Sequence, residues 1–160
     1  MAGRLFMPRV QVNFVIGHAL RAWPYECCGV LLGGRSGDGI RVSRVRAAEN
    51  ISDEDLRVAY QVGWSDLLAA TRSERSGRGQ IVGFYHSHPD GPTQPSLCDR
   101  ERAWPGAVYM IAGVGRMGPA LSAWQLGDGG AFEPVRISCE ETDGYPDAQV
   151  DHHFAFGSMR

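Results

Sequence analysis

A chain of 160 residues with 43% hydrophobic and 21% charged residues has the composition of one soluble globular domain and is long enough to enclose a core. A formal net charge of −2 lacks the basic footprint of a nucleic-acid or membrane-surface binder, and no apolar run approaches the roughly 20 residues of a membrane span. All 16 basic residues are arginine, so no lysine of this chain can become an isopeptide acceptor. The cysteines are Cys27, Cys28, Cys98 and Cys139. None forms a C-x-x-C pair, which speaks against a structural zinc knot, and no apolar leader follows the N-terminus. A reduced, cytoplasmic protein is expected.

In chain order, Arg4 to Met7 reads as a short strand closed by Pro8. From Arg9 to Trp23 the apolar residues Val12, Val15, Ile16, Ala19 and Trp23 recur at helical spacing, and Pro24 ends the helix. His18 lies off that stripe and reads as a surface or internally satisfied histidine. Cys27 to Leu32 has the continuous apolar character of a buried strand, with Glu26 at its mouth. Arg35 to Gly39 is a turn, and Ile40 to Arg46 alternates as a half-exposed strand does.

Ala47 to Asp55 is an acidic loop, Leu56 to Val62 a further candidate strand, and Trp64 to Arg72 a helix with Trp64, Leu67, Leu68 and Thr71 on one face. After a loop over Ser73 to Gly79, Gln80 to Tyr85 is a strand that leads into His86-Ser87-His88-Pro89. Ser96 to Ala103 is a short helix stopped by Pro105, and Ala107 to Gly113 an apolar, central strand. Leu121 to Leu126 and Phe132 to Ile137 form a hairpin across Gly127-Asp128-Gly129-Gly130. Strands without regularly alternating helices indicate an α+β fold with a mostly antiparallel or mixed sheet. The expected organisation is one domain over residues 1–138 and a polar, loosely ordered tail over 139–160.

Residues i and i+2 of a strand point to one side, so His86 and His88 share a face and can converge on one ion. Pro95-Ser96-Leu97-Cys98-Asp99 adds a carboxylate on the first turn of a helix. Two nitrogens and one oxygen leave a fourth tetrahedral position for water, the layout of a catalytic zinc site with one ion per chain. Ser96 and Asp99 also have the spacing of a capping box, a role compatible with the first. No glutamate lies in the histidine segment, so this is neither H-E-x-x-H nor the H-x-E deaminase pattern. A base must come from another element, and Glu26, opening a buried strand, is the best candidate. Glu49, Asp53, Glu54 and Asp55 look solvated, and Glu101 falls on a different side of its helix from Asp99. His152 and His153 read as part of the polar tail.

Glu26 followed by His86-Ser87-His88-Pro89, Ser96 and Asp99 resembles the signature of the JAMM/MPN+ zinc metalloproteases, a distant glutamate and then H-[ST]-H-P-x6-S-x2-D, without a gap. The E-x-C-G-x-L-x-G run from Glu26, Gly83-Phe84-Tyr85, and the run from Pro105 to Ile111 are also similar, and the likeness extends over residues 4–137. The resemblance implies a cytidine-deaminase-like mixed sheet flanked by two main helices and a short metal-site helix. It implies zinc on His86, His88 and Asp99, Glu26 as general base, and Ser96 as a donor to the oxyanion. It further implies hydrolysis of an amide bond, often after the C-terminal Gly-Gly of a ubiquitin-like protein. Short stand-alone bacterial members act on sulfur carriers, releasing an attached cysteine or a C-terminal extension.

From position alone, the loops Ala47 to Asp55 and Asp90 to Gln94 are the expected substrate contacts, and a Gly-Gly tail would add a strand to a sheet edge near the metal. Phe154 and Phe156 offer contacts to a partner or a second copy, which makes a homodimer one expectation. Two other readings stay open: a non-catalytic MPN-type protein-binding module, and a zinc amidase acting on a small molecule.

Overall fold

The computed structural model describes residues 3–77 and 79–141. In chain order the elements are β1 (Arg4–Pro8), α1 (Arg9–Ala22), β2 (Cys28–Ser36), β3 (Gly39–Ala48), α2 (Trp64–Arg75), β4 (Gln80–His88), α3 (Leu97–Glu101), β5 (Val108–Gly113), β6 (Ala120–Leu126) and β7 (Phe132–Glu140). The strands run β1-β3-β2-β4-β5-β6-β7 and close into a barrel through the parallel pair β1–β7. The β1–β3 and β4–β5 pairs are also parallel, and the other ladders are antiparallel. The α+β class with a mixed sheet is therefore observed. Every barrel strand has a neighbour on both sides, but β1 meets β3 only at Ile40 and Arg41, so the rest of β3 keeps an edge that β1 does not pair.

The helices divide two apolar layers. On one face, Val15 and Ala19 of α1 pack with Leu5, Met7, Leu31, Tyr85, Val108 and Met110. On the other, Leu67 and Ala70 of α2 cover Val30, Leu32, Phe84 and Tyr109. The α1 stripe is shifted from the expected one. Gln11 is buried, its Oε1 accepting from the Val45 amide at 2.9 Å, whereas Trp23 is exposed. His18 meets Tyr85, with Nδ1 2.8 Å from the phenol oxygen, the internally satisfied histidine expected. Burial, with Arg21 nearby, lowers its pKa to about 4.

Three further expectations change. Leu56 to Val62 forms no strand; its ladder is reduced to a single bridge between Asn50 and Val62. Trp64 and Leu68 of α2 face solvent, and Ala70 takes the buried position. The helix also runs on to Arg75, into the segment read as a loop. At the far end β7 continues to Glu140, where Arg41 pairs with Glu140, and Arg9 meets Glu141 at 2.7 Å. His152, His153, Phe154 and Phe156 lie outside the described residues.

The strand that carries the histidine segment sits between β2 and β5. Glycines make this close packing possible. A Cβ on Gly83 would lie 2.0 Å from the Val108 carbonyl oxygen, and one on Gly29 would lie 2.2 Å from the Tyr85 ring. Both positions exclude any side chain. Alternation then sends Tyr85 toward α1 and Phe84 toward α2; His86 and His88, in step with Phe84, emerge on the α2 side.

Candidate metal centre

His86 and His88 end β4, and Asp99 comes from α3. His86 Nε2 lies 3.0 Å from His88 Nε2 and 3.2 Å from Asp99 Oδ1, and His88 Nε2 lies 3.6 Å from Asp99 Oδ2. One ligand atom from each residue falls within 4.8 Å of the others. His86 is fully buried, and its ring stacks on Tyr60 with centroids 4.3 Å apart and planes 17° apart.

Three observations test whether these residues suit a cation. The Nδ1 of His88 is 2.7 Å from the Pro92 carbonyl oxygen. That contact requires Nδ1 to carry the proton, which leaves a lone pair on Nε2 facing the cluster. Burial lowers the His86 pKa, so its imidazole is neutral as a ligand must be. Burial acts to raise the Asp99 carboxyl, but the neighbouring imidazoles of His86 and His88 and the hydrogen bond from Ser96 outweigh it and hold it well below the usual carboxylate range. Two imidazole nitrogens and an ionised oxygen converging in a buried pocket fit zinc. The Nδ1 of His86 is buried with no hydrogen-bond partner among the described residues. Ring stacking, rather than a second hydrogen bond, orients this side chain.

Asp99 is placed by the cap of its own helix. Ser96 Oγ accepts from the Asp99 amide at 3.1 Å, while Asp99 Oδ2 accepts from the Ser96 amide and from the Ser96 hydroxyl, each at 2.7 Å. The capping box and the metal-ligand arrangement are thus one structure. The hydroxyl proton of Ser96 points to the carboxylate oxygen farther from His86.

Glu26 is 7% exposed and lines the same cleft as His88, Ser96 and Asp99. Burial pushes its carboxyl up to about 8; Asp99 adds to the rise and His88 opposes it. Its backbone is held on both sides. The Glu26 amide donates to the Leu56 carbonyl at 2.7 Å, and its carbonyl accepts from Asn50 Nδ2 at 3.0 Å. The next residue is tied to the histidine strand: the Cys27 amide donates to Ser87 Oγ at 2.9 Å, and the Ser87 amide to the Cys27 carbonyl at 3.0 Å. The structure therefore gathers Glu26, His86, His88, Ser96 and Asp99, drawn from three parts of the chain.

The cleft has a volume of about 780 Å³. Val58, Trp64, Phe84 and Trp104 form its apolar walls, and Arg57 and Arg102 stand at its polar positions. Of the two loops expected to meet substrate, Asp55 from one and Asp90 and Gly91 from the other reach it. Asn50, Tyr60 and Ser87 escaped the sequence reading as site-building residues. Ser87 sits between the two histidines, where strand alternation turns it away from the His86–His88–Asp99 cluster. That was its one signal; Asn50 and Tyr60 had none.

A His-His-Asp cluster at the end of the β4–β5 parallel pair, with a glutamate from the segment that leads into the neighbouring strand β2, defines a domain of the JAB/MPN class. The chain belongs to the family of prokaryotic homologs of the JAB domain, which it matches over residues 11–127. It is 42% identical over 96 residues to the desampylase of Haloferax volcanii, covering 59% of this chain and 67% of that protein. It is 34% identical over 111 residues to a probable TtuB-protein conjugate cleaving protease of Thermus thermophilus, covering 69% and 70%. The solution structure of protein DSY2949 from Desulfitobacterium hafniense superposes with a TM-score of 0.76 at 25% identity, covering 93% of this chain and 97% of that one.

Proposed function

We propose that this protein is a zinc-dependent isopeptidase or peptidase that hydrolyses the amide bond after the C-terminal Gly-Gly of a ubiquitin-like or sulfur-carrier protein in the cytoplasm. The observation that carries the reading is the buried carboxyl of Glu26 on the wall of the cleft that also exposes His88, Ser96 and Asp99. The names of the two relatives, a desampylase and a conjugate cleaving protease, support the substrate class. The cytidine-deaminase-like layout, with helices on opposite faces of a mixed sheet and the ligands at a strand end, belongs to the same reading.

Zinc held by His86, His88 and Asp99 would supply Lewis acidity to the scissile carbonyl and to the attacking water. Glu26 accepts the proton of that water and returns it to the departing amine, a cycle that a carboxyl poised near neutrality serves. Ser96 turns its hydroxyl from Asp99 toward the oxyanion as charge develops there. Trp64 and Trp104 flank the entrance and present apolar surface to the carrier.

Beside the metal cluster, the segment 58–60 offers the extended tail a backbone template. Ala59 and Gln61 commit backbone groups to Asn50 and Ile51. The alternate residues Val58 and Tyr60 line the cleft, and the Val58 carbonyl and the Tyr60 amide and carbonyl have no hydrogen-bond partner among the described residues. Main-chain pairing there gives affinity, and glycines at the cleavage point pass a narrow channel without a side chain to clash.

The test is incubation of the zinc-loaded protein with a sulfur carrier bearing a C-terminal cysteine, and with a carrier joined to a lysine side chain, read by intact mass. Loss of the cysteine or of the joined amine supports the reading. Intact conjugates in both cases at about one zinc per chain would sink it.

A further inference from the structure

We infer that Asn50 is a positioning residue that sets the general base and the first metal ligand at once, by replacing a missing sheet ladder with one side chain. Asn50 Nδ2 donates to the Glu26 carbonyl and to the Ala59 carbonyl, both at 3.0 Å. Its Oδ1 accepts from the Ser52 amide at 3.1 Å and from the Gln61 amide at 3.0 Å. Both donors and both acceptor sites of the carboxamide are therefore in use.

The segment it gathers, residues 51–61, belongs to no helix or strand; a bridge from Asn50 to Val62 closes it. The Ile51 amide donates to the Gln61 carbonyl at 2.9 Å, beside that bridge. Between these fixed points the segment does two things. Through Leu56 it accepts the Glu26 amide at 2.7 Å, so one backbone polar group of Glu26 ends on this loop and the other on Asn50 itself. Through Ala59 and Gln61 it holds Tyr60 from either side, and Tyr60 stacks on His86. His86 has no hydrogen bond at Nδ1 among the described residues, so the Tyr60 ring is what fixes the plane of its imidazole. One carboxamide thus links the base to the ligand it must face.

No other common side chain reproduces this set. Aspartate keeps the shape but loses both donors and turns oxygen toward two carbonyls. Serine reaches neither pair together, and glutamine is one methylene too long. Displacement of a catalytic group by about 1 Å costs on the order of 10²-fold in turnover.

The experiment compares wild-type protein with N50D, using metal content, steady-state kinetics on the carrier conjugate, and amide hydrogen exchange of the zinc-free protein. Expected for N50D are about one zinc per chain, kcat lower by about 10- to 100-fold, KM within about twofold, and exchange faster by about tenfold at Glu26 and residues 51–61 with β5 unchanged. A kcat within about twofold of wild type overturns the inference. So does exchange that rises equally in β5, because that is loss of the fold rather than of position. Should N50D fail to fold, N50S is judged by the same criteria. The kinetic arm rests on the amide-hydrolysis reading. Wild-type protein that cleaves no conjugate removes that reading, and the exchange arm then decides the role of Asn50 by itself.

Discussion

Ser87 and Cys27 are joined by two hydrogen bonds, one from the Cys27 amide to Ser87 Oγ at 2.9 Å and one from the Ser87 amide to the Cys27 carbonyl at 3.0 Å. The pair stitches the strand that carries both histidines to the residue after Glu26. Both residues are buried, so the bond to Oγ has no water to replace it. S87A leaves the Cys27 amide unsatisfied, and a loss of about 1–3 kcal/mol in stability is expected. S87T keeps the oxygen and recovers most of it. Urea denaturation of the three proteins decides the matter; equal midpoints for S87A and wild type would remove the stitch.

How much of this arrangement was legible follows from the range of each interaction. The shared face of His86 and His88 comes from the two-residue period of a strand, and the Ser96–Asp99 cap from a four-residue window; both are local. The pairing of β1 with β7 joins Arg4 to Arg136, and no short pattern announces a contact so distant. Leu56 to Val62 has the residues of a strand, yet its backbone partner is the side chain of Asn50, which periodicity does not register. Trp64 and Leu68 follow helical spacing but face outward rather than into the core, Trp64 on the wall of the cleft. Apolar spacing marks a face without telling whether protein or ligand covers it.

Glu26 carries the hydrolytic part of the reading. Its pKa, raised by burial to about 8, lies above the ordinary carboxylate value, so in zinc-free protein its contribution to stability is fully present below pH 4.5 and is lost as pH rises through 8. Glutamine keeps the size and cannot ionise. E26Q should bind zinc, lose on the order of 10²- to 10⁴-fold in amide hydrolysis, and, zinc-free, melt higher than wild type above pH 8. Turnover equal to wild type would take Glu26 out of the reaction; a melting difference without a pH trend would take away the buried-carboxyl account.

S96A separates the cap that Ser96 forms from the oxyanion role proposed for it. The hydroxyl caps α3 through the Asp99 amide and donates to Asp99 Oδ2. Loss of the cap costs about 1 kcal/mol, whereas loss of an oxyanion donor costs about 10²-fold in kcat. A large drop in kcat at nearly full zinc content is expected. Weaker zinc retention and a lower melting temperature with kcat per bound zinc unchanged would assign Ser96 to the cap alone.

The acid limit of the fold should be set in part by His18, on the side of the barrel away from the His86–His88–Asp99 cluster. Its Nδ1 meets the Tyr85 hydroxyl, Phe14 lies against its ring with centroids 6.3 Å apart, and burial together with Arg21 lowers its pKa to about 4. The unfolded chain binds this proton at about 6.5. Between those values the unfolded state holds more protons than the folded one, so stability rises with pH across the window. It is complete above pH 6.5 and is lost as pH falls through 4, by at most a few kcal/mol at roughly 1.4 kcal/mol per pH unit. H18Q keeps a polar partner for Tyr85 and does not titrate. Measured by urea denaturation of zinc-free protein at pH 7.0 and near pH 4.5, the wild-type curve should fall further than that of H18Q. Parallel losses in the two proteins would place the acid sensitivity in other groups.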